Sequence, residues 1–327
     1  MKSIRVFILC CVTSIVMLAM GQALAEAPAT AKIVFASKLN VKVKDGSDIY
    51  IINPDGSGRV NLTGHNAEDS EPTWSPSGRH ILFTSDRDGG NDIYRMKADG
   101  TDVRRIFKKW ANRSNPVWSP DGQQIAYYRE DERAIYIADI DGKNGEHLVN
   151  GWHPTWSPDG TEIAFVSLAG GFGIRVIDLR TRLERVLVLI EGVLLHEPVW
   201  SPDGTKIAFT RFSILPFILK GLLGVKDNTP IHTIDIVNSD GTGMETVVAD
   251  GEQVSDPAWS PHSDALIYSR LDGKERHLFK ISLGSLVSEQ ITHAGNNYSS
   301  DWFDPAILPV EPQSELHLTT WSKIKAD

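Results

Sequence analysis

The chain has 327 residues, of which 41% are hydrophobic and 23% charged, and its formal net charge is −9. These values are typical of a globular protein with a packed core, and they exclude a chain that is disordered throughout. The acidic balance also argues against nucleic acid as a partner, because proteins that bind it carry basic patches or stripes.

The N-terminal segment, residues 1–25, predicts a cleaved signal peptide. Lys2 and Arg5 give it a positive start, an apolar run follows over residues 6–20, and a small-x-small cleavage pattern ends at Ala25. The run is shorter than the roughly 20 residues of a membrane-spanning helix. We therefore expect a periplasmic or secreted protein, with an uncleaved membrane anchor as the alternative.

A repeated unit dominates the rest of the chain. The pattern Pro-x-Trp-Ser-Pro-Asp-Gly, or a close variant, occurs five times, and a shorter relic follows near the C-terminus. The repeat tryptophans are Trp74, Trp118, Trp156, Trp200, Trp259 and Trp302. A spacing near forty residues is what four short strands and their turns occupy in one blade of a β-propeller. We expect the six tryptophans to pack the blades, and Trp110 and Trp152, which are outside the repeat position, to be candidates for surface recognition.

Within each unit, the residue types predict four strands joined by tight turns. Pro-x-Trp forms a short first strand, in which the proline favours an extended conformation for the residue before it. Ser-Pro-Asp-Gly is a turn, because proline fixes φ and glycine allows a positive φ. Apolar and aromatic runs such as residues 207–210 and 92–96 form the second and third strands, and a more polar fourth strand closes the unit.

The two ends of the chain predict one shared blade. Residues 33–37 match the second strand of a unit, residues 48–52 the third and residues 59–63 the fourth, whereas the matching first strand lies around residues 298–303. Closure of this kind removes the exposed sheet edges that promote aggregation. We therefore predict an all-β, six-bladed β-propeller over residues 26–304, closed by strands from both termini.

The repeat resembles that of the TolB β-propeller family. The resemblance rests on Pro-x-Trp-Ser-Pro-Asp-Gly-x-x-Ile-Ala-Phe followed by Asp-Ile-Tyr-x-Met-x-x-Asp-Gly, and it extends over residues 33–304. It implies an extracytoplasmic, non-catalytic scaffold that binds a protein or an envelope component, without a cofactor and as a monomer. The sequence shows no counterpart of the N-terminal α/β domain of TolB, so a place in the Tol–Pal complex is not implied.

A ring of polar residues is predicted around the propeller axis, because the first strand of each blade faces it. The position three residues before each repeat tryptophan is occupied by Glu71, Asn115, His153, Glu197, Asp256 and Ser299, called the ring residues below. Together with Trp152, His196 and Tyr298, which each precede a ring residue, they form the candidate binding site at the channel mouth. Their oxygens also suit a hard cation such as Ca²⁺, and the alternative is that they only solvate a water-filled channel.

Two histidines keep an enzymatic alternative open. His153 and His196 lie in adjacent predicted blades near the ring. Propeller-type oligogalacturonate lyases, whose repeats are similar, use histidines at the channel mouth together with a metal, and this resemblance implies an enzyme that acts on a carbohydrate. The sequence has no local His-x-x-x-His pair that would support a metal site.

An insertion lengthens one blade between its second and third strands. Residues 212–225 are strongly apolar at a place where loops are normally polar, which often marks a contact with a partner or a membrane. The candidate contact residues are Phe212, Ile214, Leu215, Phe217, Ile218 and Leu219. A loop that buries its own side chains is the alternative, and residues 305–327 form a tail outside the repeat.

Overall fold

The computed structural model of the chain describes residues 25–39, 46–167, 169, 171–213, 231–249 and 253–307. These residues form 24 β-strands and one short 3₁₀ helix, Pro305–Ile307. Residues 1–24 of the predicted signal peptide, residues 214–225 of the insertion and residues 308–327 of the tail lie outside them. Among the described residues, no helix has the length and apolar character needed to cross a membrane.

Five blades follow one another along the chain, and each is a four-stranded antiparallel sheet in up-and-down order. Blade 2 contains β4 (Asp69–Trp74), β5 (His80–Ser85), β6 (Asp92–Lys97) and β7 (Arg104–Arg105). Blade 3 contains β8 (Arg113–Trp118), β9 (Gln124–Arg129), β10 (Ala134–Asp139) and β11 (Glu146–Asn150). Blade 4 contains β12 (Trp152–Trp156), β13 (Glu162–Ser167), β14 (Gly173–Asp178) and β15 (Glu184–Leu189). Blade 5 contains β16 (Val193–Trp200), β17 (Lys206–Ser213), β18 (Ile231–Asn238) and β19 (Glu245–Val248). Blade 6 contains β20 (Val254–Trp259), β21 (Ala265–Asp272), β22 (Glu275–Ser282) and β23 (Val287–Gln290).

Blade 1 is built from both ends of the chain. It consists, in sheet order, of β24 (Asn296–Phe303), β1 (Lys32–Lys38), β2 (Asp48–Ile52) and β3 (Val60–Asn61). Lys32 lies opposite Phe303 in this sheet, so the last strand of the chain is the inner strand of the blade. The prediction of a six-bladed propeller closed by both termini is therefore confirmed.

The hydrophobic core lies between the blades rather than within them. Six clusters of buried residues each combine side chains from two neighbouring blades, and each contains one repeat tryptophan. Trp74, Trp156, Trp200 and Trp259 are at most 9% exposed, whereas Trp118 and Trp302 are half-buried. The expected packing by these side chains is seen at all six interfaces between blades, and it is the main apolar contact that holds the ring of blades together.

The Ser-Pro-Asp-Gly turns interlock around one end of the axis, called the turn end below. Gly122 has a φ of +69°, and a Cβ on it would lie 3.7 Å from Cδ of Pro76 in the turn of the preceding blade. At the interface of blades 1 and 2, the ring of Phe303 takes the place of that proline, and a Cβ on Gly78 would lie 2.2 Å from its Cζ. The opposite end, with the links between blades and the loops between second and third strands, is called the loop end.

Candidate functional site

A cavity of about 430 Å³ runs along the propeller axis. All six ring residues line it, and so do the tryptophan that follows on each inner strand and the proline that follows the ring residue in blades 2 to 6. Pro76, Pro120 and Pro202 of the Ser-Pro turns complete the lining, so the cavity extends from the ring to the turn end. Trp152 and His196, each one residue before a ring residue, are outside this lining.

Each inner strand has a β-bulge at its ring residue. Ser70 of β4 pairs with Thr84 of β5, and Thr73 pairs with Leu82, so β4 has one residue more than β5 between these two pairs. The inner strands of the other five blades show the same extra residue. The extra residue adopts the left-handed conformation in every blade. The φ angles are +53° at Glu71, +50° at Asn115, +51° at His153, +54° at Glu197, +55° at Asp256 and +48° at Ser299.

The expectation of an extended residue before each repeat proline is therefore wrong. The bulge imposes the local reversal, and a left-handed conformation costs a non-glycine residue on the order of 1 kcal/mol. The structure shows what is gained in return, because the reversal turns the backbone N–H of a ring residue toward the preceding blade. Asn115 N–H donates to Glu71 Oε2 at 2.6 Å, and Asp256 N–H donates to Glu197 Oε2 at 2.8 Å.

The ring side chains thus link one blade to the next. Glu197 N–H donates to Nδ1 of His153 at 3.1 Å, which fixes that imidazole as an acceptor at Nδ1. The Asn115 amide donates to Glu71 Oε1 at 2.7 Å, and the Ser299 hydroxyl donates to Asp256 Oδ1 at 3.4 Å. Four of the ring's carboxylate and imidazole acceptors are consequently oriented by hydrogen bonds to the protein, which leaves little freedom to reorganise.

A carboxylate that the sequence analysis missed closes the ring of blades. Asp301 of β24 accepts the Trp74 N–H at 2.7 Å and the Thr73 hydroxyl at 3.1 Å, both from β4 of blade 2. Asp301 immediately precedes a repeat tryptophan, and the equivalent residues of blades 2, 3 and 4 are Thr73, Val117 and Thr155. A charged residue at a position that is otherwise small and uncharged was the sequence signal for this contact.

Burial shifts the protonation equilibria of the ring. Burial raises the pKa of Glu197 to about 8, with a further contribution from the negative charge of Asp256, and burial also raises the pKa of Glu71. Burial, reinforced by the neighbouring His196, lowers the pKa of His153 to about 3. The imidazole of His153 is therefore neutral at pH 7, and the Glu197 carboxyl is mostly protonated.

The cavity wall carries acidic groups and no basic counterpart among its described lining residues. Glu71, Glu197, Asp256 and Asp301 line it without a lysine or arginine, and the remaining surface is largely proline and tryptophan. Within the part of the chain that the structure describes, no three His, Cys, Asp or Glu side chains come together as metal ligands would. The wall suits a ligand that has an apolar body and hydrogen-bond donors or positive charge at its tip.

The loop end carries an aromatic patch on blades 4 and 5. Its members are Trp152, Phe172, His196, Phe212 and His232. The Trp152 and Phe172 rings lie 6.2 Å apart at an interplanar angle of 62°, and the Phe212 and His232 rings lie 4.7 Å apart. Phe172 is 40% exposed. Phe172 and His232 were missed in the sequence, because each meets its aromatic partner, Trp152 or Phe212, only when the strands of its blade pair.

The remaining predicted residues are placed as follows. His196 lies near the ring, with its imidazole 6.1 Å from that of His153. The Tyr298 hydroxyl is 2.8 Å from Ser47 Oγ and 2.9 Å from Glu68 Oε1, so it ties blade 1 to a loop-end segment. The candidate contact residues Ile214, Leu215, Phe217, Ile218 and Leu219 lie outside the described residues.

Comparisons with known proteins support the propeller at the level of sequence and of fold. The family model described as TolB beta propeller domain matches residues 17–153. Comparison with curated protein sequences finds no match.

Two solved TolB structures share the architecture. TolB from Acinetobacter baumannii is 17% identical with a TM-score of 0.71, and the match covers 83% of this chain and 66% of that one. A putative TolB from Agrobacterium tumefaciens is 19% identical with a TM-score of 0.61, over 83% of this chain and 91% of that one. This chain thus spans about two thirds of the length of the Acinetobacter protein.

An enzyme also shares the fold, more distantly. The oligogalacturonate lyase from Vibrio parahaemolyticus is 14% identical with a TM-score of 0.50, over 82% of this chain and 74% of that one. At these identities the likeness is one of fold, so the choice between binding and catalysis has to be argued from the residues of the cavity and its ends.

Proposed function

We propose that this chain, a TolB-like six-bladed β-propeller, is an exported, non-catalytic scaffold that binds a protein or a cell-envelope component in its central cavity. The observation that carries the proposal is the cavity itself, which is lined by equivalent residues of all six blades and is large enough for a peptide side chain or a short segment. The predicted signal peptide and the TolB-like family support an extracytoplasmic location.

The chemistry of the ring favours binding over catalysis. A general acid or base has to exchange a proton with a substrate, so the atom that carries or accepts the proton has to be free to contact it. Nδ1 of His153 is occupied by the Glu197 N–H, and its pKa of about 3 is far from neutral. Glu71 accepts from both the backbone and the side chain of Asn115. These groups are held in place before a ligand arrives, which reduces the entropy lost on binding.

The insertion supplies a second contact in this proposal. Phe212, near the end of β17, is half-buried against His232 in the aromatic patch, and the apolar residues 214–219 follow after Ser213. We propose that the apolar residues of this segment contact the partner or a membrane surface. The aromatic rings give such a contact a large apolar area at low cost in side-chain entropy.

One observation favours a second candidate, an enzyme that acts on a carbohydrate. His153 and His196 lie together in adjacent blades, and Trp152 offers a half-exposed ring beside them. Replacing both histidines by alanine separates the two functions. Such an enzyme would lose its turnover of acidic oligosaccharides, whereas a scaffold would keep most of its affinity for the partner.

The proposal is tested by filling the cavity. Val117 lines it, whereas Val186 on the outer strand β15 is 51% exposed. We expect Val117→Phe to reduce capture of the partner from envelope extract by at least about tenfold, with capture measured by affinity purification and mass spectrometry. Val186→Phe is the matched control and should capture normally. Equal capture by both variants, with both folded by circular dichroism, would exclude the cavity as the binding site.

A further inference from the structure

We propose that the outer wall of the propeller holds a separate site for a phosphate group, in a cleft between blades 2 and 3. The cleft has a volume of about 290 Å³ and lies away from the central cavity. Strand β7 has only two residues, and Phe107, Lys108 and Lys109, which follow it, line the cleft together with residues of blade 3. Phe107 lies on one side of the cleft, and Tyr127 and Tyr136 lie on the other.

The charge of the cleft is opposite to that of the whole protein. Its lining has five basic residues and one acidic residue in a chain whose net charge is −9. These residues are Lys108, Lys109, Arg113, Arg129, Lys143 and Asp141. The concentration of positive charge in one concave place favours an anion there, since low-dielectric walls strengthen the field inside a cleft.

Arg113 gives the cleft a fixed, buried base. The residue is 8% exposed, and its guanidinium lies 3.9 Å from the ring centroid of Phe107. Nη1 donates to Asp92 Oδ1 at 2.9 Å and to the Lys109 carbonyl oxygen at 3.1 Å. Nε has no acceptor among the described residues. Because Nε is itself buried, Arg113 supplies the cleft with a fixed positive charge rather than with a free donor.

The other cations remain available to a ligand. Lys108 and Lys109 are exposed, and neither forms an ion pair within the described part of the chain. Lys143 pairs with Asp141 at 2.6 Å, and Arg129 pairs with Asp131 at 3.0 Å and with Glu132 at 2.8 Å, but these acidic partners are 41% to 52% exposed. Exposed pairs of this kind contribute little, so a doubly charged anion competes with them effectively.

The arrangement suits phosphate better than carboxylate. A phosphate monoester presents three terminal oxygens and nearly two negative charges, and it can use several ammonium and guanidinium donors at once. A carboxylate presents two oxygens and one charge. The volume lies at the lower limit of small-molecule sites, which fits one phosphate group with a short substituent rather than a polymer. A soluble phosphoester and a phospholipid headgroup share this chemistry.

The test removes the two unpaired lysines in the full chain. We expect inorganic phosphate to bind in isothermal titration calorimetry, and Lys108→Gln with Lys109→Gln to weaken that binding by at least about tenfold, because two charge-assisted hydrogen bonds are lost. Arg79→Gln with Lys274→Gln removes two exposed charges elsewhere and should change the affinity less than about twofold. Flotation with phosphatidylcholine vesicles, with and without phosphatidic acid, tests the headgroup as the source.

Each result decides the proposal. Binding of phosphate or of phosphatidic acid vesicles that the Lys108/Lys109 variant alone loses supports it, and the arm that responds identifies the source. Equal loss in both double variants would mean unspecific attraction, and equal affinity for acetate would mean no phosphate site. Failure of phosphate and both kinds of vesicle to bind would also overturn it. None of these results bears on the central cavity, so the proposed scaffold function stands or falls separately.

Discussion

At the turn end of the axis, the blades contribute the same residue types in the same places, whereas at the loop end they differ. The turn end repeats tryptophan, proline and a tight turn from blade to blade, and each turn packs on its neighbour. At the loop end, the residue before the ring residue is serine in blade 2, tryptophan in blade 4 and histidine in blade 5. The comparison indicates that the turn end holds the ring of blades together, and that the side chains at the loop end can therefore differ from blade to blade.

The largest expected effect contrasts two tryptophans, one from each half. Trp259 is 6% exposed in the core between blades 5 and 6, whereas Trp110 at the loop end is 55% exposed. Trp259→Ala should lower the free energy of unfolding by about 3–5 kcal/mol, because it leaves a cavity in the core. Trp110→Ala should change it by less than about 0.5 kcal/mol. Urea unfolding measures both, and similar losses would contradict the division into two halves.

A second prediction tests whether the interface closed by Phe303 differs from the other turn contacts. Gly78→Ala places a Cβ 2.2 Å from the Phe303 ring at a φ of +66°, and should cost about 3 kcal/mol. Gly122→Ala has the same kind of φ but an ordinary contact of 3.7 Å with Pro76, and should cost about 1 kcal/mol. Thermal unfolding of both variants gives the difference, and equal losses would show that the phenylalanine ring moves aside freely.

The smallest expected effect concerns the ring, where the two halves meet. The pKa of Glu197 is about 8 in the folded protein, against about 4.3 in the unfolded chain. The protonated Glu197 therefore stabilises the fold fully below about pH 4.3, and this stabilisation is lost as the pH rises through 8. Glu197→Gln cannot ionise and keeps an acceptor oxygen for Asp256 N–H. Relative to the native protein, it should gain on the order of 1 kcal/mol between pH 5 and pH 6, because each pH unit between the two pKa values changes stability by about 1.4 kcal/mol.

Urea unfolding at the two pH values measures that gain. His153 also makes stability depend on pH, because its lowered pKa reduces stability as the pH falls below about 6.5. Both proteins contain His153, so this effect cancels in the comparison. A constant difference between the two proteins across this range would show that Glu197 is ionised throughout.

The sequence predicted the propeller because its information is local and repeated. The Ser-Pro-Asp-Gly turn and the phase of residues 33–37 against residues 298–303 fix the number of blades without any distant contact. The same reasoning failed at Glu71 and its equivalents, where a local rule about proline predicted an extended backbone. The bulge that sets φ there depends on the pairing with the second strand and on the N–H acceptor in the neighbouring blade.

The cleft between blades 2 and 3 was not predictable for a different reason. Lys108 and Lys109 follow the short strand β7, and Arg129 and Lys143 belong to the next blade. Their proximity arises from how two blades pack side by side, which no short motif encodes. No short motif encodes the contacts of Phe172 and His232 at the loop end either. Asp301 could have been predicted, because it is an acidic residue in a repeat position that is otherwise small and uncharged.

The pairing of Lys32 with Phe303 places the two ends of the described propeller side by side at the turn end, next to the outermost prolines of the central cavity. A short linker between these two points would make the backbone circular, and new termini opened in a loop-end connection would leave every sheet intact. A dye placed in such a linker, between Lys32 and Phe303, would lie near the turn end of the cavity and report on whatever enters it there.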